Sequence, residues 1–190
     1  MNLNSTTWWL VLLFLWGCNG PDKDFKVHWQ KINGRSCHPV YRALVPAEWT
    51  RHDPDKDSVA DTTQPLVEYR LSDGIVITVH NFPGIRIPPA AQIARWRGQM
   101  KDCDPKCMDI SSCSHGGYAG LQFECKNCLA WAMQLDAGHR QKLPGNQNLH
   151  DEMKADYTIK AVGPHEKLSK HRREIHDFAM SFELIQEIPR

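Results

Sequence analysis

The stretch that decides the fold is LVEYRLSDGIVITVHNF, residues 66–82. Its two halves, 66–71 and 75–82, are rich in β-branched and aromatic residues, which favour strands. Between them lies Ser-Asp-Gly, and a short loop that contains glycine is typical of a β-hairpin. The stretch therefore predicts two neighbouring antiparallel strands.

Further strands follow from the same kind of pattern on both sides of this hairpin. They are predicted at 25–29, 40–45, 118–125, 128–135 and 157–162. Two segments have helical periodicity instead, 90–100 and 164–182. This order of elements predicts an α+β domain in which an antiparallel sheet packs against helices, as an α/β/α sandwich.

The two predicted helices differ in the strength of their patterns. In the first, Ile93, Trp96 and Met100 recur at helical spacing on one face. The second has the stronger pattern, and its apolar face is formed by Leu168, His171, Ile175, Phe178, Ala179 and Phe182. Both helices are therefore expected to cover the sheet.

A cysteine-rich segment, 101–117, separates the first helix from the next strand pair. It has three cysteines, many small or polar residues and no periodicity. We therefore expect it to be an irregular insertion that owes its order mainly to disulfides.

The amino terminus has the residue order of a bacterial lipoprotein signal. An apolar run, 8–16, is followed by Gly17 and Cys18. A nine-residue helix would be about 14 Å long and cannot span roughly 30 Å of hydrocarbon. The prediction is a signal peptide at 1–17, acyl chains on Cys18, a tether at 18–24 and a single domain at 25–190.

Two alternatives to this interpretation are an ordinary secretory signal and a buried core helix. The first seven residues contain no Lys or Arg, and Trp16 is bulky for its position near the cysteine; both differ from a typical lipoprotein signal. Asn19 is not the aspartate that favours retention at the inner membrane. The expected location is therefore the outer membrane, facing the periplasm.

The charge balance argues against nucleic acid as a partner. The chain has 23 basic and 22 acidic residues, whereas phosphate-backbone binding requires a basic surface. The hydrophobic fraction of 41% is sufficient for a folded core. The expected partners are the membrane, through the acyl chains, and an envelope protein or ligand whose identity the sequence does not specify.

Six cysteines remain once Cys18 is assigned to lipid. An even number in an exported protein indicates a set of disulfides, with fifteen possible pairings. A zinc site is the alternative, although thiolates are less secure in an oxidising compartment. The disulfide candidates are Cys37, Cys103, Cys107, Cys113, Cys125 and Cys128.

The Cys-Lys-Asn-Cys motif at 125–128 lies between two predicted strands. If it flanks a tight turn, Cys125 and Cys128 face each other at about 5.5 Å between Cα atoms, within bridging range. A structural disulfide is the favoured interpretation. A redox pair is less favoured because such pairs normally begin at a helix amino terminus, and a metal site is the third alternative.

Arg95, Arg97 and Gln99 are the candidates for ligand contact. Two arginines could hold a carboxylate or phosphate, while the intervening Trp96 is expected to pack in the core. The alternative is that the arginines form salt bridges to acids of the sheet, such as Glu68. The histidines of the last helix, at 165, 171 and 176, do not share one face, and its basic run 170–173 is interpreted as a solvated surface.

Several short motifs together resemble a known family. Residues 41–49, YRALVPAEW, are similar to the opening of small exported bacterial proteins. The segments NFPG at 81–84 and IARWRGQ at 93–99 resemble a signature of uncharacterised bacterial envelope lipoproteins. The end of the last helix, FAMSF at 178–182, resembles the end of the PsbP/Mog1-like fold.

The resemblance covers residues 40–182 and does not extend to the cysteine-rich segment. It implies a PsbP/Mog1-like domain used for binding and assembly rather than catalysis. Cysteine-rich envelope proteins of this kind would suit chlamydiae or their relatives.

The function expected from the sequence is therefore that of a membrane-anchored, non-enzymatic envelope lipoprotein without a cofactor. The alternative is an accessory factor for thiol redox chemistry or metal binding that uses Cys125 and Cys128.

Overall fold

A computed structural model describes residues 26–55, 62–100, 103–142 and 148–185. The predicted signal peptide, Cys18 and the whole tether lie outside these residues. No helix within the described ranges combines the length and apolar character needed to cross a bilayer.

The described residues form strands β1–β10 and helices α1–α4. The strands are β1 Val27–Asn33, β2 Pro39–Pro46, β3 Thr50–His52, β4 Val67–Arg70, β5 Val76–Phe82, β6 Asp109–His115, β7 Tyr118–Cys125, β8 Cys128–Leu135, β9 Asp156–Val162 and β10 Glu183–Leu184. The helices are α1 Pro89–Gln99, α2 Ala137–Lys142, α3 Asn148–Met153 and α4 His165–Ser181.

The centre of the fold is a seven-stranded sheet in the order β3-β4-β5-β9-β8-β7-β6, with every neighbouring pair antiparallel. A second sheet, β1-β2-β10, has three strands. Both predicted hairpins are present: Gly74 lies in the β4–β5 turn with φ of 80°, and Cys125 pairs with Cys128 across the β7–β8 turn. A positive φ is easily adopted by glycine, which explains the turn at residue 74.

Each face of the seven-stranded sheet has its own hydrophobic cluster. On one face, Ile93 and Trp96 of α1 pack with Phe123 and Ala130 of the sheet. On the other face, α4 and the small sheet cover a larger cluster that includes Tyr41 and Trp131. The α+β class, with an antiparallel sheet between helical layers, is therefore confirmed.

The described part of the cysteine-rich segment, residues 103–117, is more regular than expected. Asp109–His115 forms β6, the edge strand of the large sheet, and pairs with β7 over its whole length. Its side chains are mostly exposed and polar, so it lacks the apolar alternation from which strands are predicted. Its main chain pairs with β7, and main-chain pairing does not depend on the type of side chain.

Smaller elements were also missed where the sequence is polar. The short helices α2 and α3 and the strand β3 lie in parts of the chain where no element was predicted. A three-residue strand or a six-residue helix is too short for its periodicity to be recognised.

Candidate functional site

A cavity of about 430 Å³, which we call the α1 cavity, lies between helix α1 and strands β5 and β9. Helix α1 contributes Gln92, Arg95, Trp96 and Gln99 to its wall. These positions share a face because residues three and four apart are neighbours on a helix. Two of the three predicted ligand contacts, Arg95 and Gln99, are thus brought together.

The third candidate, Arg97, does not line the α1 cavity and is exposed on the helix surface. The alternative expectation of a salt bridge to Glu68 is not observed, because Glu68 pairs with Arg70 at 2.6 Å. Successive residues of a helix are rotated by about 100°, so side chains two residues apart point in nearly opposite directions. Arg95 and Arg97 therefore cannot both face one cavity. Their separation follows from helix geometry.

The sheet supplies the other polar groups of the α1 cavity. Thr78 and His80 come from β5, and Thr158 and Lys160 come from β9. In β5 these side chains alternate with the fully buried Ile77 and Val79. Sequence reasoning missed them because the polar side of an alternating strand is normally assigned to solvent.

Hydrogen bonds between the polar side chains of the cavity fix part of their arrangement. The Lys160 ammonium donates to Gln99 Oε1 at 3.2 Å. The Gln92 amide is assigned the orientation in which its oxygen faces the side chains of Arg95 and Trp96. In that orientation the oxygen accepts hydrogen bonds from the Arg95 guanidinium at 2.7 Å and from Trp96 Nε1 at 3.3 Å. Gln92 is itself buried, so its amide has little freedom to move and helps to orient the Arg95 guanidinium.

The charge of the α1 cavity is positive. Arg95 and Lys160 are cationic, and no acidic residue is among the described residues that line it. Burial, together with the nearby Arg35 and Arg95, lowers the pKa of His80, so this imidazole is neutral at neutral pH and can donate or accept a hydrogen bond. Apolar side chains, among them Phe82 and Ile85, complete the wall.

One carboxylate lies in a narrow adjoining crevice. Asp156 is buried there, and its oxygens accept hydrogen bonds from Gln134 at 3.0 Å and Arg140 at 3.4 Å. Burial raises the pKa of this carboxyl group. Because Asp156 is already engaged by these donors, it does not pair with Arg95 or Lys160 in any observed contact.

A second cluster of functional groups lies at the β7–β8 turn, where three of the six candidate cysteines meet. The sulfur atoms of Cys103 and Cys125 each lie within hydrogen-bond distance of Asn127 Oδ1, at 3.6 and 3.4 Å. The Cys125 sulfur also contacts the thiols of Cys128 and Cys103. We refer to Cys103, Cys125 and Cys128 as the thiol cluster.

The remaining candidate cysteines are spread over the domain. Cys37 is exposed and adopts a φ of 61°, and Cys107 is exposed after α1. Cys113 lies 3.3 Å from the Met133 sulfur. All six candidate cysteines have free thiols in the structure, and their disulfide pairing stays a prediction. No group of three or more possible metal ligands is found among the described residues.

Comparison with known proteins finds similarity among solved structures. No family model and no curated protein matches the chain. Among solved structures, the chain is similar to the solution structure of cyanobacterial PsbP (CyanoP) from Synechocystis sp. PCC 6803, with 12% identity and a TM-score of 0.48. The match covers 89% of this chain and 98% of that one. What this chain binds must therefore be inferred from its own residues.

Proposed function

We propose that this chain is a binding module whose α1 cavity holds the anionic head of an amphiphilic ligand. The observation that carries the proposal is the lining of the cavity. Two cations and several neutral hydrogen-bonding groups surround it, and no carboxylate is among its described lining residues. A phosphate or carboxylate would gain charge-assisted hydrogen bonds there.

The apolar part of the wall defines the second property of the ligand. Phe82, Ile85 and Ile87 also line the α1 cavity, and Ile85 is 48% exposed. A ligand with a short hydrocarbon portion would cover these side chains and remove them from water. The preferred ligand is thus an anion with an apolar tail rather than a bare inorganic ion.

Calorimetric titration with hexyl phosphate, hexanoate, inorganic phosphate and hexanol tests this proposal. The two amphiphilic anions are expected to bind, and comparing them distinguishes a phosphate head from a carboxylate head. Inorganic phosphate should bind more weakly, and hexanol should not bind measurably. Equal binding of hexanol would contradict the proposal, because the cations would then contribute nothing.

Arg95→Ala and Arg97→Ala form a matched pair for the same titration. Both remove one exposed arginine from α1, but only Arg95 lines the cavity. Arg95→Ala should weaken binding of the preferred anion by about tenfold or more, the usual value of a charge-assisted hydrogen bond. Arg97→Ala should leave the affinity unchanged within error, and equal losses in both variants would refute the assignment.

We further propose that acyl chains on Cys18 hold this module at the outer membrane, facing the periplasm. The support is the order of residues before Cys18, an apolar run that ends in a glycine. The tether 18–24 would keep the domain close to the lipid surface. Cys18→Ser should abolish incorporation of a labelled fatty acid and release the protein from the membrane fraction, whereas Cys37→Ser should not. Labelling that persists in Cys18→Ser would exclude the anchor.

A further inference from the structure

We propose that Cys125 and Cys128 form a thiol–disulfide exchange site, reached by a substrate disulfide through a cavity at the β7–β8 turn. This site is separate from the α1 cavity and does not depend on the function proposed for it.

The backbone places the two cysteines within bridging range. Cys125 and Cys128 are direct partners in the register of β7 and β8, on either side of the two-residue turn 126–127. Such cross-strand partners have Cα atoms about 5.5 Å apart, inside the range of disulfides. A bridge between them is therefore compatible with the pairing of β7 and β8.

The surroundings stabilise the thiolate of Cys125. Hydrogen bonds from the thiols of Cys128 and Cys103, together with the main-chain N–H groups of Asn127 and Cys128, lower the pKa of Cys125 to about 6. The same contact with Cys125, together with burial, raises the pKa of Cys128. Cys103 also has a raised pKa, caused by burial first and by its contact with Cys125 second. The cluster thus concentrates nucleophilic character on one sulfur.

The tertiary structure brings a helix amino terminus to this turn. The Gly163 N–H, just before α4, donates to the Asn127 carbonyl at 3.3 Å. His165, the first residue of α4, has its Nδ1 atom 2.6 Å from the Lys126 carbonyl oxygen. The partial positive charge at the start of this 17-residue helix favours a nearby anion, including a thiolate.

A cavity of about 660 Å³ borders Cys125, whose own exposed fraction is 4%. Cys125, Lys126 and His165 lie in its wall, with Leu129, Leu168 and Arg172. Arg172 pairs with Glu124 at 2.5 Å on the same wall. The cavity is large enough for a small peptide segment, and its wall offers both apolar and charged contacts beside the sulfur.

The exchange has two steps that balance. The Cys125 thiolate attacks one sulfur of a substrate disulfide, which forms a mixed disulfide and releases the other sulfur as a thiolate. The Cys128 thiol then loses its proton to solvent and attacks Cys125, which closes the Cys125–Cys128 disulfide and releases the second substrate thiolate. The substrate disulfide is the oxidant, and the two protein thiols supply both electrons.

The test is to mix the reduced full chain with an aromatic disulfide that releases a coloured thiolate. At about pH 6.5, a thiol of ordinary pKa, about 8.5, is only about 1% ionised, so Cys125 should dominate the fast phase. We expect two coloured thiolates per chain in that phase. Its rate should titrate with a midpoint near the pKa of about 6.

Cys128→Ser should release one coloured thiolate in the fast phase and retain a mixed disulfide, which peptide mapping should locate at Cys125. Cys125→Ser should slow the fast phase by about tenfold or more. The matched control is Cys113→Ser, which replaces a partly buried thiol whose pKa is raised by burial and should change nothing.

Peptide mapping keeps the proposal falsifiable even if Cys125→Ser does not fold. An adduct in Cys128→Ser at Cys37 or Cys107 rather than Cys125 would overturn it. A single thiolate from the unchanged protein would also overturn it, because Cys128 would then not resolve the mixed disulfide. Glutathione disulfide, used in place of the aromatic reagent, should give the same Cys125–Cys128 bridge.

Discussion

Two glycines show how differently single residues depend on their surroundings. A Cβ at Gly120 would lie 2.0 Å from the carbonyl oxygen of Ala132 on the neighbouring strand β8. That atom belongs to the main chain, so no side-chain rotation can relieve the contact. At Gly98 in α1, a Cβ would meet no atom within 4 Å.

Gly120→Ala should lower the free energy of unfolding by about 1–3 kcal/mol, the usual range for overpacking against a fixed neighbour. Gly98→Ala should raise it by about 0.5–1 kcal/mol, because alanine loses less conformational entropy than glycine in a helix. Urea denaturation monitored by circular dichroism measures both. Equal effects at the two positions would mean that the main chain of β8 at Ala132 does not lie so close to Gly120.

At the level of elements, α4 shows how one helix organises the larger core. The Phe178 ring lies 5.3 Å from Trp49 and 5.4 Å from Tyr69, measured between ring centroids, and is fully buried. The edge-on and tilted geometries of these pairs are favourable for aromatic rings. The polar residues on the opposite side of α4, such as Lys170, are exposed.

Phe178→Ala should destabilise the domain by about 3–5 kcal/mol, because it removes a buried ring and leaves a cavity beside Trp49 and Tyr69. Lys170→Ala on the same helix should change the free energy of unfolding by no more than about 0.5 kcal/mol. Denaturant midpoints at a fixed protein concentration provide the comparison. A loss for Phe178→Ala as small as that for Lys170→Ala would show that α4 does not pack on the sheet through this ring.

For the molecule as a whole, two half-buried histidines couple the fold to pH. Burial lowers the pKa of both His80 and His115. The nearby His176 lowers the pKa of His115 further. The unfolded chain therefore binds protons at a higher pH than the folded chain. The contribution of these histidines to the free energy of unfolding is therefore fully present above the ordinary histidine pKa of about 6.5. It declines as the pH falls through that value.

His115→Gln should reduce the difference in unfolding free energy between about pH 7.5 and about pH 5, because glutamine does not titrate. The amide can still hydrogen-bond to the Tyr157 hydroxyl, which lies 2.8 Å from the imidazole in the native chain. An unchanged pH difference in His115→Gln would exclude this linkage.

Local sequence was sufficient for the elements whose side chains repeat with a clear period. The β4–β5 and β7–β8 hairpins and helices α1 and α4 lie where their patterns predicted them, within a few residues. The α+β class follows from these elements alone. The signal peptide and Cys18 are also predictions from local sequence, and they concern residues outside the described part of the chain.

Only the tertiary structure decided which residues share a site. Arg95 was predicted from α1, but its partners Lys160 and His80 come from strands distant in the chain and carry no motif of their own. Likewise, Cys125 was predicted to lie between two strands, and only the packing of α4 brings a helix amino terminus to the same turn. The periodicity of apolar residues indicates which face of a helix or strand is buried. Contacts between helices and strands depend on how those faces pack together.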